Sequence, residues 1–270
     1  MSNYQNFVHS VSDSAGNIYI VGASNVVSNI RTDALIVKFD SSLIIQSTSL
    51  IGNSSSNSND YALFAMAAID SSGDIICVGD CTIGGDQYGL IVKYDTDLNV
   101  LEQKIFGVAS AGCVFFGLKI DSSGSIYAVG YIENPVSTGY NGLILKLDGS
   151  LGLLEAKLYG STRLNADDNV WGVSIDSSGN LVCFGGTNEA GAGAYNRTIL
   201  KCPSTLPSGT FSSPAIPALV FQDLPTPTLA TSTLTVTIQS LILTASTYVT
   251  SDAGLTSSTG LLTATEGSMS

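Results

Sequence analysis

Short apolar segments alternate with turns rich in Asp, Ser and Gly along residues 1–222. The apolar segments are rich in Val, Ile, Tyr and Phe, which favour a pleated, half-buried strand. The longest unbroken apolar run, residues 61–69, would fit a helix if it stood alone. Because the equivalent segments elsewhere contain glycine and β-branched residues, this run is also predicted to be a strand. The pattern therefore predicts an all-β chain.

Two sequence elements recur four times, about fifty residues apart, which is the pattern of a repeat protein. The first element is an Asp-Ser-Ser-Gly turn (Asp-Ser-Ala-Gly in the first copy), followed by an apolar run that ends in glycine. The Asp and Gly of these turns are Asp13 and Gly16, Asp70 and Gly73, Asp121 and Gly124, and Asp176 and Gly179. The second element is an apolar strand with a lysine, at Lys38, Lys93, Lys146 and Lys201.

Each repeat is predicted to contain four strands. The first precedes the Asp-Ser-Ser-Gly turn, the second follows its glycine, the third carries the lysine, and the fourth follows a short Asp-rich turn. The turn carboxylate is expected to cap the loop, and the glycine to supply the left-handed residue of a bulged hairpin. The fourth strands alternate polar and apolar residues, as expected near a solvated edge.

Four antiparallel strands per repeat predict the blade of a β-propeller. One blade cannot bury both of its faces, whereas blades stacked around an axis bury them against each other. We predict a small propeller of four blades over residues 1–222, or of five if the C-terminal tail adds one. The blades are expected at about residues 7–56, 57–108, 109–161 and 162–222.

The pattern Asp-Ser-Ser-Gly-Asn-Ile-Tyr-x-Val-Gly, followed by Gly-Leu-Ile-Val-Lys-Tyr-Asp, resembles the SBBP-type β-propeller repeats. Such repeats occur in bacterial surface proteins and in structural proteins of marine tailed phages. The resemblance covers about residues 7–222. It is specific for the repeat and implies little about a biochemical role.

Residues 223–270 are predicted to form a separate tail after a proline-rich connector. The tail has no Lys or Arg, and a seven-residue Thr/Ser period places Leu or Tyr in one register from Leu234 to Leu262. A coiled coil would place Asp252 and Glu266 in its seam, so a β-structured or extended tail is favoured over a coiled coil. The tail also resembles the heptad tails of marine phage virion proteins. It is expected to add a sheet, to close the ring with an edge strand, or to serve in docking or oligomerisation.

Composition excludes several classes of protein. A formal net charge of −12, from 10 basic and 22 acidic residues, argues against a nucleic-acid groove. The longest apolar run is too short to span a membrane, and residues 1–10 show no secretory signal. The cysteines are odd in number and are predicted to be core residues of a protein made in a reducing cytoplasm. They are Cys77, Cys81, Cys113, Cys183 and Cys202.

Catalytic and metal-binding candidates are few. The single histidine, His9, is expected to be a packed or edge residue rather than a member of a catalytic triad. Asp167 and Asp168 offer carboxylates for glycoside hydrolysis, but neighbours in a strand point in opposite directions. Asp70 and Asp74 offer oxygens for calcium, but the other repeats lack the second acid. No catalytic residue, metal or cofactor is therefore predicted.

The recurring lysines have two interpretations. A basic ring of four lysines would hold an anion near the axis. Alternatively, each lysine pairs with a turn aspartate of the same or the next blade. The second interpretation is favoured, because ligand-binding lysines rarely persist unchanged in every blade.

The loops between second and third strands are the predicted binding surface, because recognition usually lies in variable loops on a rigid repeat scaffold. They span residues 23–32, 80–87, 131–140 and 186–195, are similar in length, and are expected to emerge on one rim. Their aromatic and amide side chains suit a glycan surface, although solvated loops without a ligand are the alternative. The candidate residues are Asn25, Asn29, Asp86, Tyr88, Tyr131, Asn134, Tyr140 and Tyr195.

The leading functional expectation is a non-enzymatic structural protein of a tailed-phage virion, tail-associated or fibre-like. Its expected partners are other virion proteins and copies of itself, with host-surface glycan as a further contact. This expectation rests on the resemblance. The alternatives are a capsid-decorating knob, a propeller hydrolase or lyase acting on polysaccharide, and a bacterial surface adhesin.

Overall fold

The computed structural model describes residues 5–25, 32–52, 61–107, 110–133, 139–161, 166–188, 196–206, 209–213, 216–223, 229–231 and 235–237. Every regular element within these ranges is a β-strand, as the sequence pattern predicts. In the same ranges, no helix is long and apolar enough to cross a membrane.

The first fifteen strands form four consecutive antiparallel sheets. The first sheet contains β1 (Gln5–Ser12), β2 (Ile18–Ser24), β3 (Asp33–Phe39) and β4 (Ile45–Gly52). The second contains β5 (Ala62–Ile69), β6 (Ile75–Ile83), β7 (Asp86–Tyr94) and β8 (Val100–Phe106). The third contains β9 (Cys113–Ile120), β10 (Ile126–Glu133), β11 (Tyr140–Leu147) and β12 (Leu153–Ser161). The fourth contains β13 (Asp168–Ile175), β14 (Leu181–Thr187) and β15 (Asn196–Cys202).

Strand order within each sheet follows the chain. The four-stranded prediction is confirmed for the first three sheets. It is wrong for the fourth sheet, which has three strands within the described residues. The strands that follow β15 join other sheets, so the fourth repeat departs from the other three after its third strand.

Four further strands extend the first three sheets: β16 (Gly209–Ser213), β17 (Ile216–Asp223), β18 (Leu229–Thr231) and β19 (Thr235–Thr237). β17 pairs with β12 and with β16, β18 pairs with β8, and β19 pairs with β4. The chain thus visits the third, second and first sheets in turn, each time beside the fourth strand. The heptad positions from Leu234 to Leu262 lie outside the described residues, and the domain boundary at residue 222 stays a prediction.

The predicted Asp-Ser-Ser-Gly turn is confirmed in all four sheets. In the third sheet, Asp121 Oδ1 accepts hydrogen bonds from the backbone N–H groups of Ser123 at 2.8 Å and Ser125 at 2.9 Å. Gly124 has a φ of +85°, a left-handed conformation that glycine adopts without steric cost. The same carboxylate bonds recur at Asp13, Asp70 and Asp176.

The second glycine of the motif is required by a close approach between strands. A Cβ on Gly130 of β10 would lie 1.8 Å from the carbonyl oxygen of Val114 on β9, where the ladder of hydrogen bonds is interrupted by a bulge. Any side chain at this point would therefore push the two strands apart. The equivalent glycines are Gly22, Gly79 and Gly185.

Consecutive sheets pack face to face, with the first strand of each sheet against the strands of the preceding one. We call the face of a sheet that points to the next sheet its forward face. Its members are Tyr19, Val21 and Ile36 in the first sheet, Ile76, Val78 and Ile91 in the second, Tyr127, Val129 and Ile144 in the third, and Val182, Phe184 and Ile199 in the fourth.

The forward faces of the first three sheets are buried in three hydrophobic clusters, each shared with the following sheet. A further cluster on the opposite face of the first sheet contains Leu35, Val37, Phe39 and Leu50. The core is thus a series of apolar layers between consecutive sheets. The turns and loops lie at the two ends of the sheets, outside these layers.

Candidate functional site

The two ends of the sheets differ in chemistry. We call the end with the four Asp-Ser-Ser-Gly turns the turn rim, and the end where second strands lead to third strands the loop rim. Five predicted site residues lie at the loop rim within the described residues: Asn25 after β2, Asp86 and Tyr88 in β7, Tyr131 in β10 and Tyr140 at the start of β11. The other three, Asn29, Asn134 and Tyr195, lie outside the described residues.

Tyr131 and Tyr140 form the aromatic part of the loop rim. Their ring centroids are 4.7 Å apart at an interplanar angle of 61°, and Phe116 lies 5.6 Å from Tyr131 on its other side. Both tyrosines are half-buried. The structure therefore brings two of the predicted residues together as an aromatic surface on the third sheet.

A buried carboxylate lies beside this surface on the second sheet. Asp80 is 3% exposed, and its Oδ2 accepts hydrogen bonds from the hydroxyl of Tyr61 and from Nε2 of Gln87, each at 2.7 Å. The same amide also lies 2.7 Å from the Tyr61 hydroxyl. The three side chains therefore form a closed triangle of hydrogen bonds.

Burial raises the pKa values of Asp80, Tyr61 and Tyr131. Burial raises the pKa of Asp80 above its ordinary value, although the bonds from Tyr61 and Gln87 act in the opposite direction. Burial and the bond to Asp80 raise the pKa of Tyr61 to about 12. Burial, the neighbouring Tyr140 and the charge of Asp80 also raise the pKa of Tyr131. The phenols therefore remain neutral hydrogen-bond donors at physiological pH.

The segment that connects the second and third sheets bonds to acidic side chains of both sheets. The backbone N–H of Ser110 donates to Asp86 Oδ1 at 3.1 Å, and that of Gly112 donates to Glu133 Oε2 at 3.1 Å. Glu133 in turn donates its own N–H to the carbonyl of Gly112 at 2.7 Å. The acids of β7 and β10 are thus held by one short connection, which fixes the two sheets relative to each other at this rim.

Sequence reasoning placed Asp80 and Gln87 in the predicted binding loop 80–87 without naming them as candidate residues, and it missed Tyr61 and Glu133. A signal existed for Asp80, since the residue after the second motif glycine is small in the first and fourth repeats, where it is Ala23 and Gly186. An acid inside an otherwise apolar strand is a marker of a special environment.

The predicted loop lengths are wrong for the second sheet. Residues 80–83 and 86–87 belong to β6 and β7, and only Gly84 and Gly85 form the turn, with φ of +63° and +96°. A two-residue hairpin extends both strands, so Asp86 and Tyr88 sit in a sheet rather than in a loop.

The lysines link neighbouring sheets at the turn rim. We call the turn that follows the third strand of a sheet its second turn. A backbone carbonyl in the second turn of the following sheet accepts a hydrogen bond from Nζ of each of Lys38, Lys93 and Lys146. The acceptors are Thr96 at 2.8 Å, Gly149 at 2.9 Å and Ser204 at 3.0 Å. The contact is the same in all three places, so it is a repeated fastening between sheets.

Repeat lysines also pair with aspartates. Lys38 lies 3.8 Å from Asp97 of the next sheet, whereas Lys93 and Lys201 pair within their own sheets. Lys93 lies 2.9 Å from Asp70 and 3.2 Å from Asp74, while Lys201 pairs with Asp176. The two acids considered for calcium thus share one lysine. Within the described residues, no three His, Cys, Asp or Glu side chains come together as a metal site.

Two clefts open at the turn rim, between turns of neighbouring sheets. One of about 410 Å³ between the third and fourth sheets is lined by Asp121, Asp176 and Ser204. The other, of about 400 Å³ between the first and second sheets, includes Lys38 and Asp97. Both are lined by the same turns that the lysines join, so they are gaps within the repeated contact.

The histidine, the Asp167–Asp168 pair and the cysteines are packed within or between the sheets. His9 Nδ1 accepts the backbone N–H of Ala67 at 3.3 Å, which joins the first two sheets. Asp167 bonds to Asn188, whereas the neighbouring Asp168 is fully buried. All five cysteines are buried and free, and burial raises the pKa of Cys77, the first of them.

Comparison with known proteins adds no relative to this description. The chain matches no family model and no curated protein.

Proposed function

We propose that the four sheets are blades of a β-propeller that serves as a non-enzymatic structural protein of a tailed-phage particle, tail-associated and with its loop rim available for host-surface glycan. The observation that carries the scaffold part is the contact repeated between consecutive sheets: a lysine to a turn carbonyl above a buried apolar layer. The phage part rests on the resemblance of the repeat and the tail to marine phage virion proteins.

The blade arrangement is supported by the uniform order of the sheets. The second, third and fourth sheets each pack their first strand against the preceding sheet, and a turn of each accepts a hydrogen bond from the lysine of that preceding sheet. Repeats that contact only their neighbours in one sense produce a solenoid or a propeller. Strands β17, β18 and β19 lie beside the outer strands of three sheets, where they cover exposed edges.

A glycan contact is supported by the chemistry of the loop rim. Sugars present flat C–H faces and many hydroxyls, which stack on aromatic rings and bond to acids and amides. Tyr131 and Tyr140 supply the rings, and Glu133, which pairs with Tyr140 across β10 and β11, supplies an acid beside them. This rim differs from sheet to sheet, whereas the turn rim carries the turn with its aspartate and glycine in all four sheets.

Two experiments test the proposal. Mass spectrometry and antibody labelling in electron microscopy of purified phage particles should place the chain at the tail; labelling at the capsid would favour the decorating knob. A chain absent from particles and found on a bacterial surface would favour the adhesin and overturn the proposal.

The glycan contact is tested on the purified chain. Binding to extracted host envelope polysaccharide should fall at least about tenfold in Tyr131→Ala and Tyr140→Ala, whereas Leu154→Ala on an exposed part of β12 should bind normally. Release of shortened sugars by the wild-type chain, lost in Asp167→Asn with Asp168→Asn, would contradict the non-enzymatic assignment.

A further inference from the structure

The forward face of the fourth sheet is an exposed copy of a surface that the other three sheets bury. Ile36, Ile91 and Ile144 are fully buried, whereas the equivalent Ile199 is 81% exposed. Phe184, which corresponds to Val21, Val78 and Val129, is 54% exposed. The fourth sheet therefore carries an apolar docking face whose chemistry is already used three times in the same chain.

The lysine at the edge of this face is also exposed. The side chains of Lys38 and Lys93 are 14% and 13% exposed, because the turn of the next sheet covers them. The side chain of Lys201 is 60% exposed and pairs with Asp176 of its own sheet. Its Nζ has further donors for a turn carbonyl of the kind that accepts the other three lysines.

The matching half of the contact is exposed on the first sheet. Each second turn holds a leucine in the left-handed region, and Leu98, Leu151 and Leu206 are buried in the cluster formed with the preceding sheet. The equivalent Leu43 has a φ of +62° and is 49% exposed, and its neighbour Ile44 is 60% exposed. Among the described strands, no sheet packs against this turn as the first three sheets pack against the turns of the sheets that follow them.

We propose that the forward face of the fourth sheet binds the second turn of the first sheet, residues 40–44, in a second copy of this chain. Phe184 and Ile199 pack against Leu43 and Ile44, and Lys201 donates to the carbonyl of Ser41, the position equivalent to Thr96, Gly149 and Ser204. The inference rests on the blade arrangement proposed above and extends it from one chain to an assembly.

A second copy of the chain is the proposed partner, because the forward face of the fourth sheet and the second turn of the first sheet do not meet among the described strands of one chain. The extensive packing among described strands joins the first sheet to the second, the second to the third and the third to the fourth, but not the fourth to the first. Leu35 and Val37 behind the turn are already buried, so the turn itself makes the contact. Because the two halves differ, the contact is head-to-tail and yields a ring if its rotation closes, or an open chain if it does not.

Crosslinking between separately tagged chains tests the contact. Ser41→Cys in one chain and Lys201→Cys in the other should join through a short bis-maleimide into a species carrying both tags; the native cysteines are buried. The double variant in one chain should give the same intermolecular product. A purely intramolecular product would show that the chain closes on itself, and no product would show that the faces do not meet; either result overturns the proposal.

Light scattering tests the assembly without crosslinks. The full chain should have a mass that is a multiple of 27.9 kDa, and Ile199→Asp or Phe184→Asp should weaken association at least about tenfold. Leu101→Asp, at an equally exposed position on β8, should associate as the wild type does. Circular dichroism checks that each variant is folded. Association that is unchanged in both fourth-sheet variants contradicts the proposal, whereas the location in a virion is tested separately.

Discussion

The fourth sheet and the first three sheets carry the same motif in different surroundings. In the first three, the forward-face isoleucine and the lysine are covered by the next sheet. In the fourth, Ile199 and Lys201 have the same positions in the repeat and are exposed. The repeated motif therefore stabilises the protein only where a neighbouring sheet completes the contact.

The largest difference is expected at the forward-face isoleucines. Ile144→Ala should lower the free energy of unfolding by about 3 kcal/mol, because it removes buried methyl groups and leaves a cavity. Ile199→Ala should change it by less than about 0.5 kcal/mol, because that side chain is largely exposed in the single chain. Urea unfolding at dilute protein concentration measures both. Equal losses at the two positions would mean that the fourth sheet is covered in solution.

Replacing a left-handed leucine with glycine should change the free energy of unfolding in opposite directions at a covered turn and at an exposed one. Leu151→Gly should destabilise the protein by about 2 kcal/mol, since lost burial outweighs the relief of a strained backbone. Leu43→Gly should stabilise it by about 0.5 kcal/mol, since little burial is lost and the strain is removed. Thermal and urea unfolding of both variants provide the measurement. A loss at Leu43 as large as that at Leu151 would contradict the assignment of an uncovered turn.

The carboxylates of the two rims should respond to pH in opposite ways. Burial alone would raise the pKa of Asp121, but hydrogen bonds from Ser123, Ser125 and Tyr127 lower it below the ordinary value. This stabilisation is present above the unfolded pKa and is lost as pH falls through the folded pKa. Asp80 has a raised folded pKa, so its contribution becomes less favourable as pH rises from the unfolded pKa through the folded one.

Two substitutions separate these contributions. At pH 7, Asp121→Asn should lower the free energy of unfolding by about 1 kcal/mol, and Asp80→Asn should raise it by about 1 kcal/mol, because the amide oxygen still accepts a bond without a buried charge. The loss in Asp121→Asn should shrink as the pH falls below about 4, because the folded pKa of Asp121 is lowered. The gain in Asp80→Asn should shrink at higher pH, as the pH falls through the raised folded pKa of Asp80 towards about 4. Urea unfolding across this range is the measurement, and a gain in Asp80→Asn that grows towards low pH would show that the sign is wrong.

The strands and the turns could be predicted from the sequence because they depend on neighbouring residues. The Asp-Ser-Ser-Gly turn contains its own carboxylate acceptor and its own left-handed glycine, so it forms wherever the motif occurs. The pairing of lysines with turn aspartates could also be predicted, because the lysine recurs at one strand position. These features are local and repeated.

The candidate site and the path of the chain after Lys201 could not be predicted in the same way. Asp80 meets Tyr61 and Gln87 through strand pairing, and its influence reaches Tyr131 on another sheet, which no periodicity encodes. In the fourth repeat, Pro203 replaces the aspartate of the second turn. This substitution indicates that the repeat diverges here, but it does not predict which sheet the next strand joins. The seven-residue Thr/Ser period predicts strands, but it does not predict that β19 pairs with β4.

A lysine series tests the central claim most directly. The free energy of unfolding is measured at dilute concentration for Lys38→Met, Lys93→Met, Lys146→Met and Lys201→Met. We expect the first three to lose about 1 kcal/mol each, because each removes the short ammonium hydrogen bond to a turn carbonyl of the next sheet. Lys201→Met should lose no more than a few tenths, as for an exposed ion pair. Four equal losses would contradict the account, because the repeated contact would then not depend on the sheet that follows.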